Sequence, residues 1–203
     1  MKTFNYHSAK DSKEATKLSS SASAFLAGGM TTIPSMKLGL ATYKDIIDIK
    51  NIKKLSGISV SGKSVKVGAI TKHAEVANSQ EIKKAIPSLA SLAEGIGDPQ
   101  VRNRGTIGGS IANNDPSADY PSACIALNAI IHTNERKIES SKFFKGMFET
   151  ALKKGELIEA IEFNIPDKSS YQKHPNPASR YAVVGVYVAK HKDGIRVAVT
   201  GAK

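Results

Sequence analysis

The sequence predicts an α+β fold with two subdomains, and three features of the chain support that class. Residues 1–55 alternate between strand-like and helix-like segments, which indicates a small βαβ unit with parallel strands. From residue 56 the apolar residues recur with a period of two around short turns, which is typical of antiparallel strands. The chain has 203 residues, of which 40% are hydrophobic and 23% charged, enough for one large domain or two small ones with a shared core.

The first subdomain, residues 1–55, is predicted to hold three strands and two helices. The strands are "TFNYH", "SAFLAGG" and "DIIDIKNI", and the helices are "DSKEATKLSS" and "TIPSMKLGL". Asp11 or Ser12 can cap the first helix through its side-chain oxygen. Thr31 or Thr32 can cap the second, and the proline at 34 suits its first turn.

The second subdomain, residues 56–168, is predicted to be a larger mixed or antiparallel sheet with helices. It begins with a hairpin in "GISVSGKSVKVG", a helix starting at Thr71 and a helical stretch, "SQEIKKAIPSLASLAEGIG", that is broken at Pro87. The glycine-punctuated stretch "NRGTIGGSIANN" follows, and then a helix in "DPSADYPSACIALNA" that is capped by Asp115. It ends with a strand and turn in "IIHTNERKIES" and a helix followed by a strand in "KFFKGMFETALKKGELIEAIEFNIP". The changes of period and the Gly and Pro positions define these boundaries.

Residues 169–203 are predicted to be a connector and the incomplete start of a further domain. "DKSSYQKHPNPAS" is rich in turn residues, and "RYAVVGVYVAKHKDGIRVAVTGAK" reads as a hairpin around "HKDG". Two strands make a poor independent domain. The hairpin therefore either completes an earlier sheet or begins a domain whose remainder is missing, and we expect the second.

Composition excludes several function classes. No apolar run approaches the ~20 residues that span a bilayer, and "MKTFNYHSAKDSKEATKLSS" is too polar for a secretory signal, so we expect a cytoplasmic protein. The one cysteine, Cys124, rules out an internal disulfide and a cysteine-ligated cluster held by this chain alone. The five histidines are scattered without metal-ligand spacing, so we predict no metal site.

The net charge of +11 raises the question of nucleic acid binding. The lysines are spread along the chain, with no basic run, no interleaved aromatic residues and no tryptophan. This pattern favours a solvated lysine-rich surface over a nucleic acid groove. An acidic ligand or partner subunit stays open.

Two glycine pairs offer bare backbone amides. Gly28-Gly29 lies in "LAGGMTT" and Gly108-Gly109 in "TIGG", and each comes with a hydroxyl residue. Neither fits the dinucleotide fingerprint G-x-G-x-x-G or the phosphate loop of nucleotide triphosphatases. Taken singly, each is equally well explained as a turn or a bulge. Two such loops facing each other would hold two linked phosphates through N–H groups.

Longer stretches around these pairs resemble the FAD-binding (medium) subunit of the molybdenum hydroxylases, a family that includes carbon monoxide dehydrogenase medium subunits and the flavin domain of xanthine dehydrogenase. The resemblance rests on "LAGGMTTIPSMKLGLA", "GDPQVRNRGTIGGSIANNDPSADYP", "GELIEAIEFNIP" and "YQKHPNPASRYAVVGVYVA", in that order over essentially the whole chain. It implies the two-subdomain FAD-binding fold of the vanillyl-alcohol-oxidase (PCMH) type, followed by the truncated start of a C-terminal α+β domain.

The resemblance implies which residues bind FAD. The diphosphate would lie between two loops whose matching positions are Ala27, Gly28, Gly29, Met30 and Thr31 in the first and Thr106, Ile107, Gly108, Gly109 and Ser110 in the second. The family often has His-Ser where this chain has Met30-Thr31, so a polar role is expected only for the threonine. Asp119 would accept hydrogen bonds from the adenosine, although an ordinary acid in the first turn of a helix explains it too.

Three further positions match the family less directly. Ile158 matches an apolar position near the adenine and is equally explained as core. Lys173 and Tyr181 match positions near the cofactor. We expect that a β-branched residue in place of Gly108 or Gly109 abolishes flavin binding and leaves the fold largely intact.

The function implied is electron transfer. Members of the family accept electrons from [2Fe-2S] clusters on an iron-sulfur small subunit and pass them through FAD to NAD or a quinone-like acceptor. The substrate is oxidised at the molybdopterin cofactor of a large subunit, so this chain needs no catalytic residue of its own. Two alternatives stay open: a stand-alone FAD-dependent oxidoreductase of the same fold, and a non-enzymatic binding module in which the glycine pairs are turns.

Overall fold

The computed structural model describes residues 1–202, which form thirteen strands and nine α-helices. The strands are β1 (Asn5–Ser8), β2 (Ser23–Leu26), β3 (Asp45–Asp48), β4 (Ile58–Ser61), β5 (Ser64–Gly68), β6 (Ile130–Thr133), β7 (Lys137–Glu139), β8 (Phe144–Gly146), β9 (Glu149–Thr150), β10 (Ile158–Asn164), β11 (Lys168–Pro175), β12 (Ala182–His191) and β13 (Gly194–Thr200). The helices are α1 (Ser12–Leu18), α2 (Thr32–Lys37), α3 (His73–Asn78), α4 (Gln80–Ala85), α5 (Pro87–Glu94), α6 (Pro99–Arg102), α7 (Ile107–Asn113), α8 (Tyr120–Ala126) and α9 (Ser140–Phe143).

The N-terminal part is the predicted βαβ unit. Its three strands are parallel in the order β1-β3-β2, with α1 and α2 as the crossovers. Asp11 caps α1 by accepting a hydrogen bond from the Glu14 N–H (2.8 Å), and the Glu14 carboxylate accepts one from the Lys10 N–H (2.8 Å). These two bonds fix the start of α1, although the Glu14 carboxylate bonds the residue before the N-cap and not the N-cap itself as in a capping box. Ile47 of the central strand is fully buried in a small core with Ala15 of α1.

The middle of the chain forms a five-stranded antiparallel sheet in the order β4-β5-β10-β6-β7. Its central strand, β10, pairs with β5 on one side and β6 on the other. The buried face carries alternating apolar residues such as Val65, Val67, Ile131, Ile161 and Phe163. The helices between β5 and β6 cover this face, so the largest core lies between the sheet and that helical layer. The predicted mixed fold class is confirmed by this architecture.

A third sheet has the order β11-β12-β13. The tail hairpin is confirmed, but the expected turns at residues 168–174 are wrong, because this segment is strand β11 and pairs with β12 over its full length. Its residues alternate between exposed and half-buried, the period of a strand with one covered face. Tyr187 of β12 is fully buried, and its hydroxyl lies 2.6 Å from that of Ser88 in α5.

The other face of this third sheet carries exposed aliphatic side chains. Ile195, Val197 and Val199 of β13 are 67%, 61% and 56% exposed, and Val188 of β12 is 36% exposed. They lie side by side, because Val188 is opposite Val197 in the antiparallel register.

Three boundary predictions are wrong. Helix α3 begins at His73 rather than Thr71, because the Thr71 hydroxyl instead bonds both backbone groups of Gly57. Asp115 does not cap α8; its carboxylate accepts the Ser117 N–H (2.8 Å) in a preceding turn. The helix expected after residue 142 is only the four-residue α9, followed by the hairpin β8-β9.

The glycine-punctuated "TIGGSIAN" is helix α7 rather than an irregular stretch, because Thr106 caps it and both glycines fit in its first turn. Among residues 1–202, no helix combines the length and apolarity needed to cross a bilayer.

Candidate functional site

A cleft of about 510 Å³ lies where the parallel unit meets the five-stranded sheet and its helices. Twelve of the fourteen predicted cofactor-binding residues line it: Ala27, Gly28, Gly29, Met30, Thr31, Thr106, Gly108, Gly109, Ser110, Asp119, Ile158 and Tyr181. Ile107 and Lys173 do not line the cleft. Residues far apart in the sequence thus converge on one cavity of the size that small-molecule sites have.

The first glycine loop joins β2 to α2 and exposes its backbone. Gly29 has φ +73°, in the left-handed region that a side chain disfavours. Within residues 1–202, the N–H groups of residues 28–32 have no hydrogen-bond acceptor. Thr31, the N-cap residue of α2, makes no side-chain capping bond, so its hydroxyl is also available. This loop supplies the bare donors that an anion requires.

The second loop differs from the prediction, because its amides are used within the protein. The Ile107 N–H donates to the Thr71 carbonyl (3.1 Å) and the Gly108 N–H to the Ala69 carbonyl (2.8 Å). The Gly109 N–H donates to the capping Thr106 hydroxyl (3.2 Å). The idea that both loops present bare amides is therefore wrong for the second. Ile107 is fully buried and contributes to the core.

Glycine is needed in both loops for close approach of backbone to backbone. A Cβ atom on Gly28 would lie 2.1 Å from the Arg104 carbonyl oxygen, so the first loop touches the segment that leads into the second. A Cβ on Gly108 would lie 2.6 Å from the Ala69 Cβ, where α7 meets the end of β5. The expectation that a β-branched residue at Gly108 leaves the fold intact is contradicted by this contact. At Gly109 the one close atom is the Thr106 hydroxyl oxygen, at 2.9 Å.

Asp119 is a buried carboxylate held by two side chains of β11. Lys173 Nζ lies 2.9 Å from Asp119 Oδ1, and the Tyr171 hydroxyl donates to the same oxygen (2.5 Å). Lys173 also donates to the Gly95 carbonyl (3.1 Å). Burial raises the pKa of Asp119, and the hydrogen bond from Tyr171 and the charge of Lys173 oppose that shift. Because Lys173 lies behind the carboxylate, it positions Asp119 rather than lining the cleft.

A tight turn before β12 contributes Ser179, Arg180 and Tyr181 to the cleft wall. The Arg180 N–H donates to the Asn176 carbonyl (2.9 Å), and the Asn176 N–H donates to the Tyr181 carbonyl (2.8 Å). Arg180 has φ +60°, an uncommon conformation for a residue with a side chain. Tyr181 is 49% exposed and lies on the cleft wall. Burial, followed by the charges of Asp115 and Asp119, raises its pKa.

Sequence reasoning did not assign His73, Tyr120 or Arg180. His73 lines the cleft, is 5% exposed, and has an Nδ1 atom without a partner among the described residues. Tyr120 is fully buried, and its hydroxyl has no partner within residues 1–202. The histidine in "ITKHAEV" does not belong to a motif with a fixed spacing to another functional residue. The roles of His73, Tyr120 and Arg180 are therefore visible only in the three-dimensional structure.

The chemistry of the wall fits a dinucleotide. Free amides suit the diphosphate, and Asp119 suits hydroxyl donors. Apolar side chains along the wall suit flat rings, and they are Phe25, Ile49, Ile70, Leu157 and Ile158. The residues present can therefore hold FAD.

Comparison with known proteins decides the family. Residues 2–167 match the family model described as the FAD binding domain in molybdopterin dehydrogenase. The chain belongs to this family of FAD-binding domains. The resemblance found in the sequence is thereby confirmed, as is FAD as the cofactor of this domain.

Individual relatives of this FAD-binding domain are medium subunits of dehydrogenases. The glyceraldehyde dehydrogenase medium chain of Sulfolobus acidocaldarius is 38% identical over 170 residues, which cover 81% of this chain and 60% of that protein. The carbon monoxide dehydrogenase medium chain of Hydrogenophaga pseudoflava is 35% identical, covering 97% of this chain and 74% of that protein.

The fold is shared with a solved structure of this type. A structure of carbon monoxide dehydrogenase from Hydrogenophaga pseudoflava that lacks the Mo-pyranopterin moiety superposes with a TM-score of 0.92. The match covers 98% of this chain and 75% of that chain, at 35% identity. This FAD-binding domain thus spans between about three fifths and three quarters of these relatives' length.

Proposed function

We propose that this protein is the FAD-binding electron-transfer subunit of a molybdenum hydroxylase-type oxidoreductase complex. The observation that carries the proposal is the single cleft that twelve of the predicted cofactor positions line. The medium-subunit names of the relatives support the same role. The proposed location is the cytoplasm.

The proposed division of labour leaves the substrate chemistry on other chains. An iron-sulfur small subunit with [2Fe-2S] clusters supplies electrons, and a large subunit with a molybdopterin cofactor oxidises the substrate. Bound FAD supplies the redox chemistry between those clusters and NAD or a quinone-like acceptor. This chain contributes binding, orientation and electrostatics and holds no catalytic residue of its own.

Each part of the site has a proposed partner on FAD. The free amides of residues 28–32 and the hydroxyls of Thr31 and Ser110 bind the diphosphate, and Gly109 allows its close approach. Asp119 accepts hydrogen bonds from adenosine hydroxyls while Lys173 and Tyr171 hold the carboxylate. Ile158 packs beside the adenine, and Tyr181 lies near the cofactor on the cleft wall.

Replacing Gly109 by alanine tests the placement of the diphosphate. The added Cβ lies 2.9 Å from the Thr106 hydroxyl oxygen, which caps α7 and must shift slightly. An unfolding midpoint close to that of the parent chain shows that the fold is retained, and the methyl group then enters the space expected for a phosphate. We expect FAD affinity to fall at least about tenfold, which corresponds to about 1.4 kcal/mol. Titration of apoprotein with FAD, followed by flavin fluorescence, measures the change.

Gly146→Ala is the matched control. Its Cβ would have the Glu149 carboxylate as nearest neighbour, at 3.5 Å, in the β8-β9 hairpin and not on the cleft wall. It is expected to bind FAD like the parent chain. Equal FAD affinity in Gly109→Ala and Gly146→Ala would contradict the placement of the diphosphate at the second loop.

Co-purification tests the complex. The proposal expects the chain, expressed with its genomic neighbours, to associate with a cluster-bearing small subunit and a molybdopterin-bearing large subunit. A flavoprotein that turns over a small substrate alone would instead support the stand-alone oxidoreductase. A colourless protein that does not bind added FAD would leave only the binding module.

A further inference from the structure

We propose that His73 is a further cofactor-binding residue, a neutral imidazole that donates a hydrogen bond from Nε2 to the diphosphate of bound FAD. The inference rests on the proposed FAD role of the cleft and adds a side-chain donor to a wall whose other donors are mostly backbone groups.

The backbone fixes His73 against the second glycine loop. The His73 N–H donates to the Gly105 carbonyl (3.0 Å), and Lys72 and Thr106 form an antiparallel bridge. A Cβ on Gly105 would lie 2.6 Å from His73 Nε2 and 2.8 Å from Cδ2. The Nε2 edge of the ring therefore lies directly against the peptide that leads into Thr106, and His73 belongs to the cleft wall.

The two ring nitrogens have different environments. Nδ1 is enclosed and has no partner among the described residues. The ring of Tyr120, with a centroid distance of 5.4 Å, also offers it no hydrogen bond, since the Tyr120 hydroxyl is itself without a partner in residues 1–202. Nε2 does not belong to the enclosed atoms without a partner among the described residues, and His73 lines the cleft. Nδ1 of His73 thus faces the protein interior, and Nε2 lies on the side of Gly105.

This asymmetry selects a tautomer. A buried N–H without an acceptor costs more than a buried lone pair without a donor, because unsatisfied N–H groups are the rarer of the two in proteins. We infer that Nδ1 carries the lone pair and that the proton resides on Nε2. The ring then offers one N–H donor beside the second glycine loop.

The environment also keeps the ring neutral. Burial, together with the charge of Arg102, lowers the pKa of His73 to about 4. Arg102 is itself turned to the Ile96 and Gly97 carbonyls (3.0 Å each). A neutral N–H is suited to a phosphate oxygen that already receives backbone amides, because it adds a hydrogen bond without burying another charge.

Three variants separate the donor from the ring's packing role. His73→Gln keeps an N–H group at the reach of Nε2, and His73→Leu keeps the bulk and removes the donor. Tyr120→Phe removes the neighbouring hydroxyl, which is not on the cleft wall. FAD affinity is expected to fall at least about tenfold in His73→Leu, to stay within about threefold in His73→Gln, and to be unchanged in Tyr120→Phe.

ADP-ribose identifies which half of FAD is recognised, because it carries the diphosphate and adenosine without the flavin ring. If His73 donates to the diphosphate, His73→Leu lowers the affinities for ADP-ribose and for FAD by the same factor. A loss confined to FAD overturns the diphosphate assignment. A folded His73→Leu that binds FAD like the parent overturns the proposal, as does a His73→Gln that loses as much as His73→Leu.

A measurement on the parent chain covers the case in which His73→Leu does not fold. Nitrogen NMR of the apoprotein near pH 7 distinguishes the tautomers, and the result expected is a proton on Nε2 whose resonance shifts when ADP-ribose is added. A proton on Nδ1 would overturn the inference. Failure of the parent chain itself to bind FAD would instead remove the proposed function on which the inference rests.

Discussion

One ion pair beside the cleft has both of its side chains buried. The side chains of Asp119 and Lys173 are only 5% and 9% exposed and lie 2.9 Å apart. Both groups lose most of their hydration, so each depends on the other and on the hydroxyl of Tyr171. The pair therefore links the geometry of the cofactor wall to the stability of the third sheet.

Asp119→Asn is expected to destabilise the protein by about 3–5 kcal/mol, because it leaves the Lys173 ammonium buried and unpaired. Lys173→Met removes the other charge, and the double variant Asp119→Asn, Lys173→Met is expected to recover most of the stability. Urea unfolding of the apoprotein at pH 7 gives the three free energies. A single variant that loses less than about 1 kcal/mol would show that the ion pair is not buried as described.

His73 makes stability depend on pH in a defined window. Its pKa of about 4 in the folded chain lies below the ordinary value of 6.5, so between these values the unfolded chain binds more protons. Stability is therefore fully present above pH 6.5 and declines as the pH falls toward 4, by at most about 3 kcal/mol. Unfolding free energies of the apoprotein between pH 7 and 4 measure the decline.

The control for this pH effect is His73→Gln, which cannot titrate and is expected to flatten the profile. The pKa values of His132, Glu156 and Glu162 are also lowered in the folded chain, so these groups leave a residual slope of the same sign in the variant. An unchanged profile in His73→Gln would contradict the assignment.

At the scale of elements, Asn114 joins helix α7 to the β8-β9 hairpin. It ends α7 in the left-handed conformation, with φ 43°. Its side-chain amide donates to the Gly146 carbonyl (2.7 Å) and the Glu149 carbonyl (2.9 Å), and its carbonyl accepts the Phe148 N–H (3.0 Å). One residue thus terminates the helix that carries the second glycine loop and anchors the hairpin beside it.

Asn114→Ala is expected to cost about 2–3 kcal/mol, because it removes two hydrogen bonds and places alanine in the left-handed region. Asn128→Ala is the matched control, since Asn128 also has a positive φ (48°) but its side chain makes no such bonds within the described residues. It should lose only the conformational part, about 1 kcal/mol. Thermal unfolding of both variants compares them, and equal losses would contradict the anchoring role.

The elements that the sequence predicted correctly are determined by neighbouring residues. The elements that it did not predict depend on contacts with residues far away in the sequence. The strands of the N-terminal unit follow from apolar periodicity, and α1 begins where Asp11 can cap it. Helix α7 was not foreseen because its glycines are required by contact with Ala69, which lies far away in the sequence. Strand β11 was not foreseen because its partner β12, not its own polar sequence, makes it extended.

The same distinction holds for the site. The positions of the glycine loops could be predicted from the resemblance to the family, because members with the same motifs in the same order share the same fold. The engaged amides of the second loop, the burial of Ile107 and the unpartnered nitrogen of His73 depend on neighbours that only the folded chain brings together. Single-sequence patterns carry no information on such contacts.

At the scale of the whole molecule, the charge of the chain and the charge of the cleft differ. The net charge is +11, yet among the described wall residues Arg180 is the one lysine or arginine. The diphosphate is therefore expected to be held by dipoles and hydroxyls at short range. Salt screens such contacts much less than it screens exposed charges.

The resulting prediction concerns ionic strength. FAD affinity is expected to change by less than about threefold between 0.05 and 0.5 M salt, since one exposed cation contributes little. Arg180→Gln should remove most of the small dependence that remains. Titrations across salt concentrations measure it, and a steep decrease in affinity would show that the dispersed lysines, not the loops, attract the cofactor.

The position of β10 at the centre of the five-stranded sheet has a consequence for biosynthesis. Its partner β5 ends at Gly68, whereas β10 spans Ile158–Asn164, so a nascent chain holds an open, aggregation-prone edge while the helical layer is being translated. Pairing over such separations is slow, and the ribosome delivers the closing strand late. A chaperone that binds β5 would act on the nascent chain after β5 has been synthesised and before β10 has been.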